Sequence, residues 1–182
     1  IAHDRDRGDF RYPVQYVLRP NLDYRGFAGE IAAGIVRKGD SVMVLPSRKT
    51  TRVKAIDTFA GEVQEAFAPM SVTLRLEDEV DVSRGDMLVP PGAAPDVGQR
   101  FEAMLVWMNE RPLDPAKSYF LKHTTHVVRA EIESVLGHTD LDTLDEVPAD
   151  GLALNDIGRV RVRCHRPLFF DPYTKSRRTG AF

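Results

Sequence analysis

Short stretches of alternating apolar and polar residues, each cut off by Gly, Pro or Asp after roughly ten positions, run through this chain from Arg11 onward. A helix would need apolar residues three and four apart over a longer span, and few segments offer them. The pattern predicts an all-β fold of short strands and tight turns. In Ser71 to Leu76, period two sets Val72, Leu74 and Leu76 on one face against Thr73 and Arg75 on the other, and Thr50 to Phe59 alternates likewise. The turn Arg37-Lys38-Gly39-Asp40 predicts a hairpin between 26–36 and 41–45. Pro90-Pro91-Gly92-Ala93-Ala94-Pro95 has no periodicity and three prolines, which marks a domain boundary. The 182 residues thus divide into a first domain over 10–92 and a second over 97–182, each an all-β sandwich or barrel, the latter cut short in its last strand. The acidic segment Gly137 to Leu154 is expected to be a loop or a single helical turn.

Composition excludes several function classes. The net charge of -2 gives no global steering toward nucleic acid or an anionic membrane. Cys164 is the single cysteine, which excludes an internal disulfide framework and a multi-cysteine zinc site. No apolar run approaches the ~18 residues of a membrane span, and the first residues are charged where a signal peptide is apolar, so a cytoplasmic protein without a membrane partner is expected.

Neither GxxxxGK[ST] nor a GxGxxG between strand and helix occurs. Gly26, Gly29 and Gly34 fall within a strand pattern and read as bulges or barrel corners. His123 and His126, three apart, would point to opposite faces of one strand, which argues against a metal pair. Glu77-Asp78-Glu79-Val80-Asp81 lacks the Gly and distal Glu of a calcium loop and reads as a solvated turn. Cys164 and His165 are strand neighbours and point apart, so they make no nucleophile pair. No catalytic, cofactor-binding or metal residue is assigned, and a binding or transmitting module is the expectation.

Two segments are candidate partner contacts. Residues 131–156 carry a balance of -8 and residues 157–182 one of +6. Arg159, Arg161 and Arg163 alternate with Val160 and Val162 and so share a strand face. Such a stripe could grip RNA phosphates or an acidic partner; neutralising the adjacent acidic block is the favoured reading. The polar segment Arg19 to Arg25, with Arg19, Asn21, Asp23 and Arg25, is either a contact loop or an ordinary connection.

The run Gly26-Phe27-Ala28-Gly29-Glu30-Ile31, then Gly34 to Val42, then Arg84-Gly85-Asp86-Met87-Leu88, resembles the second domain of translation-factor GTPases such as elongation factor Tu. Further words narrow the resemblance: Arg19-Pro20-Asn21-Leu22-Asp23-Tyr24-Arg25, Phe101-Glu102-Ala103 with Leu105-Val106-Trp107-Met108, Lys122-His123-Thr124-Thr125, Leu154 to Val160, and Pro167 to Tyr173. Together they look like the large, GTPase subunit of bacterial sulfate adenylyltransferase, including its fusion to adenylylsulfate kinase and the related nodulation protein. The resemblance implies two barrels like domains 2 and 3 of elongation factor Tu, with residues 1–9 as the linker from a GTP-binding domain whose motifs have no match here. It implies a small catalytic subunit as partner, the GTPase domain in cis, and an adenylylsulfate kinase domain in cis as a further option. GTP and Mg would sit on that GTPase domain and no cofactor on this chain, which alone would be inactive. Nucleic acid is not an expected partner, although an RNA-binding pair of barrels is the alternative.

Overall fold

The computed structural model describes residues 9–21 and 23–182, so the linker segment falls almost wholly outside the described residues. In chain order the strands are β1 (Tyr12–Leu18), β2 (Gly26–Glu30), β3 (Ile35–Arg37), β4 (Ser41–Leu45), β5 (Lys49–Thr58), β6 (Gly61–Val63), β7 (Glu65–Phe67), β8 (Ser71–Leu76) and β9 (Met87–Val89). They are followed by β10 (Asp96–Val106), β11 (Ser118–His123), β12 (His126–Thr139), β13 (Glu146–Val147), β14 (Ile157–Phe170) and a single helical turn, α1 (Arg177–Gly180). No helix among the described residues is long and apolar enough to cross a membrane.

The residues fall into two compact units. One takes the chain up to Asp96 together with His123–His126 and Phe169–Phe182; the other is Val97–Lys122 with Val127–Leu168. In the first, strands follow the order β4-β9-β1-β2-β8-β5, and β5 pairs back onto β4, so the path closes on itself. Two long strands turn the corners. β5 gives Lys49 to Arg52 to β4 and Val53 to Asp57 to β8, with a register shift between Val53 and Ala55. β1 gives Tyr12 and Pro13 to β9 and the remainder to β2, with a shift between Val14 and Tyr16. Such shifts bend a strand and raise its twist, which is what closure requires. Gly29 sits opposite Val14 at the second corner, where an added Cβ would lie 2.6 Å from the Pro13 carbonyl oxygen. The core inside the ring includes Tyr12, Val14, Phe27, Ile56, Leu74 and Leu88, none more than 2% exposed.

The face assignment within β8 follows the alternation: Val72, Leu74 and Leu76 are buried while Thr73 and Arg75 are not. The hairpin expected between 26–36 and 41–45 does not form. Gly34, at φ 71°, breaks the segment; β2 before it pairs with β1 and β8, while β3 after it pairs with β7. The turn itself is present: the Asp40 carboxylate accepts from the Arg37 amide at 2.8 Å, and Gly39 adopts φ 88°. It leads into β4, which pairs with β5 and β9.

The second unit is one sheet of order β10-β14-β12-β11, with β13 on β12. β12 and β14 are antiparallel, from Ala130↔Cys164 to His138↔Gly158, and bury Val128, Ala130, Val160, Val162 and Cys164 on one face. The acidic segment is more regular than expected: β12 runs on to Thr139 and β13 folds back against it. Asp140 holds the turn, accepting from the amides of Asp142 (2.8 Å) and Thr143 (3.1 Å), which keep its carboxyl below the usual range.

Candidate functional site

The segment from Arg19 to Arg25 joins β1 to β2. Its conformation is set by Asn21, whose side-chain oxygen accepts from the amides of Asp23 (3.1 Å) and Tyr24 (2.9 Å), an Asx turn. Arg19, Asn21 and Asp23 are exposed. Arg25 is drawn back onto the unit: its guanidinium lies 5.4 Å from the centre of the Phe27 ring and 3.7 Å from the Asp81 carboxylate. Arg19, Asn21 and Asp23 thus place one cation, one amide and one carboxylate at the surface. Beside it the Tyr24 hydroxyl donates to Asp57 at 3.0 Å, and Asp57 also holds Arg75 at 2.9 Å.

In the other unit, Arg159, Arg161 and Arg163 do share the exposed face of β14. Arg159 donates to Glu146 (2.7 Å) and Glu102 (3.4 Å), and Arg161 donates to the same Glu102 (2.8 Å). Arg163 stands opposite Glu131 in the β12 register, and Glu131 accepts from His165 at 3.0 Å. The hydrogen bond and charge of Arg161 hold the Glu102 carboxyl below its ordinary value, and His165 does the same for Glu131. Glu131 and Glu146 come from the acidic block, as the neutralising reading expects, whereas Glu102 on β10 was not anticipated. A nucleic-acid phosphate would have to displace these carboxylates.

His123 and His126 are not on one strand. They flank the two-residue turn Thr124-Thr125 between β11 and β12. The His126 ring packs against Gly85, where a Cβ would lie 2.6 Å from the ring. His123 is 4% exposed and its Nε2 bonds the Thr179 carbonyl at 2.9 Å. Burial pushes the His123 imidazole below its ordinary value, outweighing the pull of that carbonyl. Burial likewise raises the Cys164 thiol. Among the described residues no three His, Cys, Asp or Glu converge as metal ligands.

The most organised polar cluster was missed by the sequence reading. Arg11, 1% exposed, makes a two-pronged ion pair with Asp171, Nε and Nη2 each 2.9 Å from a carboxylate oxygen. Its Nη1 donates to the carbonyls of Ala93 (2.7 Å) and Phe10 (3.1 Å). The Thr179 hydroxyl donates to Asp171 at 2.7 Å. Burial pushes the Asp171 carboxyl up, but Arg11 and Thr179 together hold it below its usual value. The cluster fastens the last fourteen residues to the first strand of the unit, and Arg178 adds an ion pair with Glu30. A cleft of about 820 Å³ opens beside it, walled by Ala32, Ala33 and Pro69 and by Lys175, Arg177 and Arg178. Asp171 stood within a quoted family word, yet nothing local marks it as the partner of Arg11, 160 positions away.

Residues 100–182 match a family described as GTP-eEF1A C-terminal domain-like. Over all 182 residues the chain is 55% identical to sulfate adenylyltransferase subunit 1 of Bacteroides fragilis, covering 38% of that protein. Along its whole length the chain is similar to sulfate adenylyltransferase subunit 1. It is also 51% identical, across its whole length, to the bifunctional enzyme CysN/CysC of Rhodopirellula baltica, covering 28% of that protein. The chain thus spans well under half the length of the sulfate adenylyltransferase relatives it matches. Among solved structures, sup35 complexed with GDP superposes on 96% of the chain with a TM-score of 0.84 at 19% identity, covering 43% of sup35. Elongation factor SelB from Methanococcus maripaludis follows at 0.74 and 20%, over 92% of this chain and 38% of its own. These likenesses establish the translation-factor-like fold.

Proposed function

We propose that this chain is the β-barrel region of the GTPase subunit of a sulfate adenylyltransferase and serves there as a docking and transmitting body. The observation that carries the reading is the 55% identity to sulfate adenylyltransferase subunit 1 across the whole chain. In this reading a small catalytic subunit transfers the adenylyl group from ATP to sulfate, giving adenylylsulfate and pyrophosphate, while a GTPase domain in the same polypeptide hydrolyses GTP. The phosphosulfate anhydride forms uphill, so the hydrolysis must act through two conformations that the partner distinguishes. A body that relays such a change needs a stiff core and polar surface contacts. The closed ring of the first unit supplies the former; Arg19, Asn21, Asp23 and Arg25, with Arg159, Arg161 and Arg163, are the proposed contacts.

GTP and Mg belong in this reading to the GTPase domain. The described residues do not fit them: the single helix has one turn, and no strand-loop-helix cradle for phosphates is present. The isolated chain is accordingly expected to be inactive. The match to a CysN/CysC enzyme keeps an adenylylsulfate kinase domain in cis within the proposal, and a cytoplasmic location goes with it.

The test is capture of the small subunit by the full-length GTPase subunit, with and without residues 10–182. Loss of capture with GTP binding retained is the expected result. Undiminished capture after the deletion would show that docking resides elsewhere.

A further inference from the structure

The basic stripe on β14 is met by carboxylates of its own unit; a second basic stripe, on the closed unit, is not. Residues 41–56 hold Arg48, Lys49, Arg52 and Lys54 and no Asp or Glu. All four are exposed, and among the described residues none of them forms an ion pair. Elsewhere in the same unit Arg37, Lys38 and Arg75 are paired with Glu65, Glu62 and Asp57. The backbone itself presents the stripe. β4 turns into β5 through 46–48, with Arg48 at φ 59°, a left-handed conformation that glycine would adopt without strain. The Arg48 amide donates to the Val44 carbonyl at 2.7 Å, which fixes the turn. Arg52 lies opposite the exposed Ser41, between buried Thr51 and Val53. Lys54 falls at the register shift against β8, between buried Val53 and Ala55, and such a shift re-aims a side chain. On the β8 side the Glu77 amide donates to the Arg52 carbonyl at 2.9 Å, and Asp78 accepts from the Thr51 hydroxyl at 2.8 Å. The exposed acids 77–79 thus border the stripe without closing on its cations. Like charges held two positions apart on one side of a strand repel, so the arrangement does not serve the stability of the unit.

We infer that the β4–β5 hairpin is a docking surface for an acidic face of the small catalytic subunit. The inference deepens the proposed function and takes the identity of the partner from it. The chemistry of that partner follows from the stripe and its border together. No aromatic residue occurs in 41–56 to stack a base. A uniform polyanion running on past β5 would also meet Glu77 and Glu79. A few carboxylates clustered on a folded surface, with cations beside them to face 77–79, match both signs. No large apolar side chain of 41–56 is exposed, so charge governs the contact and speeds and orients encounter more than it tightens the complex.

The test follows association of the full-length GTPase subunit with the small subunit by stopped flow, at low and at high salt. Arg52→Gln combined with Lys54→Gln should slow association about 10-fold or more at low salt and flatten its salt dependence, with dissociation changed less. Arg111→Gln combined with Lys117→Gln removes the same charge from exposed positions of the other unit and should leave the rate within about 2-fold. Equal slowing by the two pairs would overturn the surface, because net charge alone would then account for it. Arg48→Gly removes a cation while relieving the left-handed backbone, so it should slow association without lowering the melting temperature. If the unsubstituted subunits do not associate at all, the proposed function falls together with this inference. If they associate and the stripe variants do so equally fast, this inference alone falls. Retention on RNA that is lost in the Arg52→Gln, Lys54→Gln protein, with subunit association unchanged, would overturn the assignment to a protein partner.

Discussion

The two units are built from strands of the same kind and end differently. The first closes: β5 and β1 each serve two neighbours across a register shift, and the residues inside the ring reach essentially zero exposure. In the second, of longer strands, β10 ends the sheet path among the described residues, and its inward positions, which match the core pattern, are half-buried. Apolar alternation is thus sufficient for strand formation but does not by itself bury the inward row: Leu121 on the end strand β11 is buried, and no residue of β10 is. Core quality is a property of the ring, and the same side chain is worth less on β10 than on β5.

The predictions rank along that contrast. The largest effect is expected in the cluster that fastens the tail to the closed unit. Asp171→Ala strands the Arg11 guanidinium in the interior and should cost ~3–5 kcal/mol in denaturant unfolding. A loss below about 1 kcal/mol would mean the tail is not integral to that unit. Next, Ile56→Ala, inside the ring, should cost ~2–5 kcal/mol as a core cavity, whereas Leu105→Ala on β10 should cost ~1 kcal/mol in the 182-residue chain. Equal losses would erase the distinction between the units. A smaller effect concerns acid. The His123 value is depressed in the folded state, so below about pH 6.5 the unfolded chain binds a proton that the folded chain does not. Stability should therefore be full above that pH and decline as pH falls through the lowered folded value, and His123→Gln should flatten the slope of denaturation midpoint against pH in this window. Smallest of all, Arg161→Ala on the exposed face of β14 should leave the melting temperature unmoved, since its partner Glu102 is solvated. Strong RNA retention by the unmodified chain, falling steeply with salt and weakened by this change, would revive the nucleic-acid reading.

Much of the fold was legible because period two is a local signal. The faces of β8, the β10 start beyond the proline break and the arginine stripe all follow from residues within a few positions of one another. The failed hairpin shows where locality ends. Gly39 correctly marked a turn, yet strand partners are chosen by Gly34, which releases β3 to β7, and by distant ladders that no spacing reveals. His123 and His126 were misread for the same reason: the chain reverses at Thr124, held at φ 51°, a conformation rare for Thr and invisible in composition. Glu102 and Asp171 needed three dimensions, since each meets its arginine across more than fifty residues.

The Arg11–Asp171 pair has a consequence for how the chain comes into being. Synthesis delivers Asp171 160 positions after Arg11. Until then the Arg11 guanidinium has only the half-exposed Asp9 carboxylate, 3.6 Å away, and lacks the buried two-pronged partner, so the closed unit cannot reach its final state however early its strands emerge. Completion of the closed unit is therefore set by the arrival of the segment that follows β14, so the unit matures only once the whole intervening sheet is already outside the ribosome.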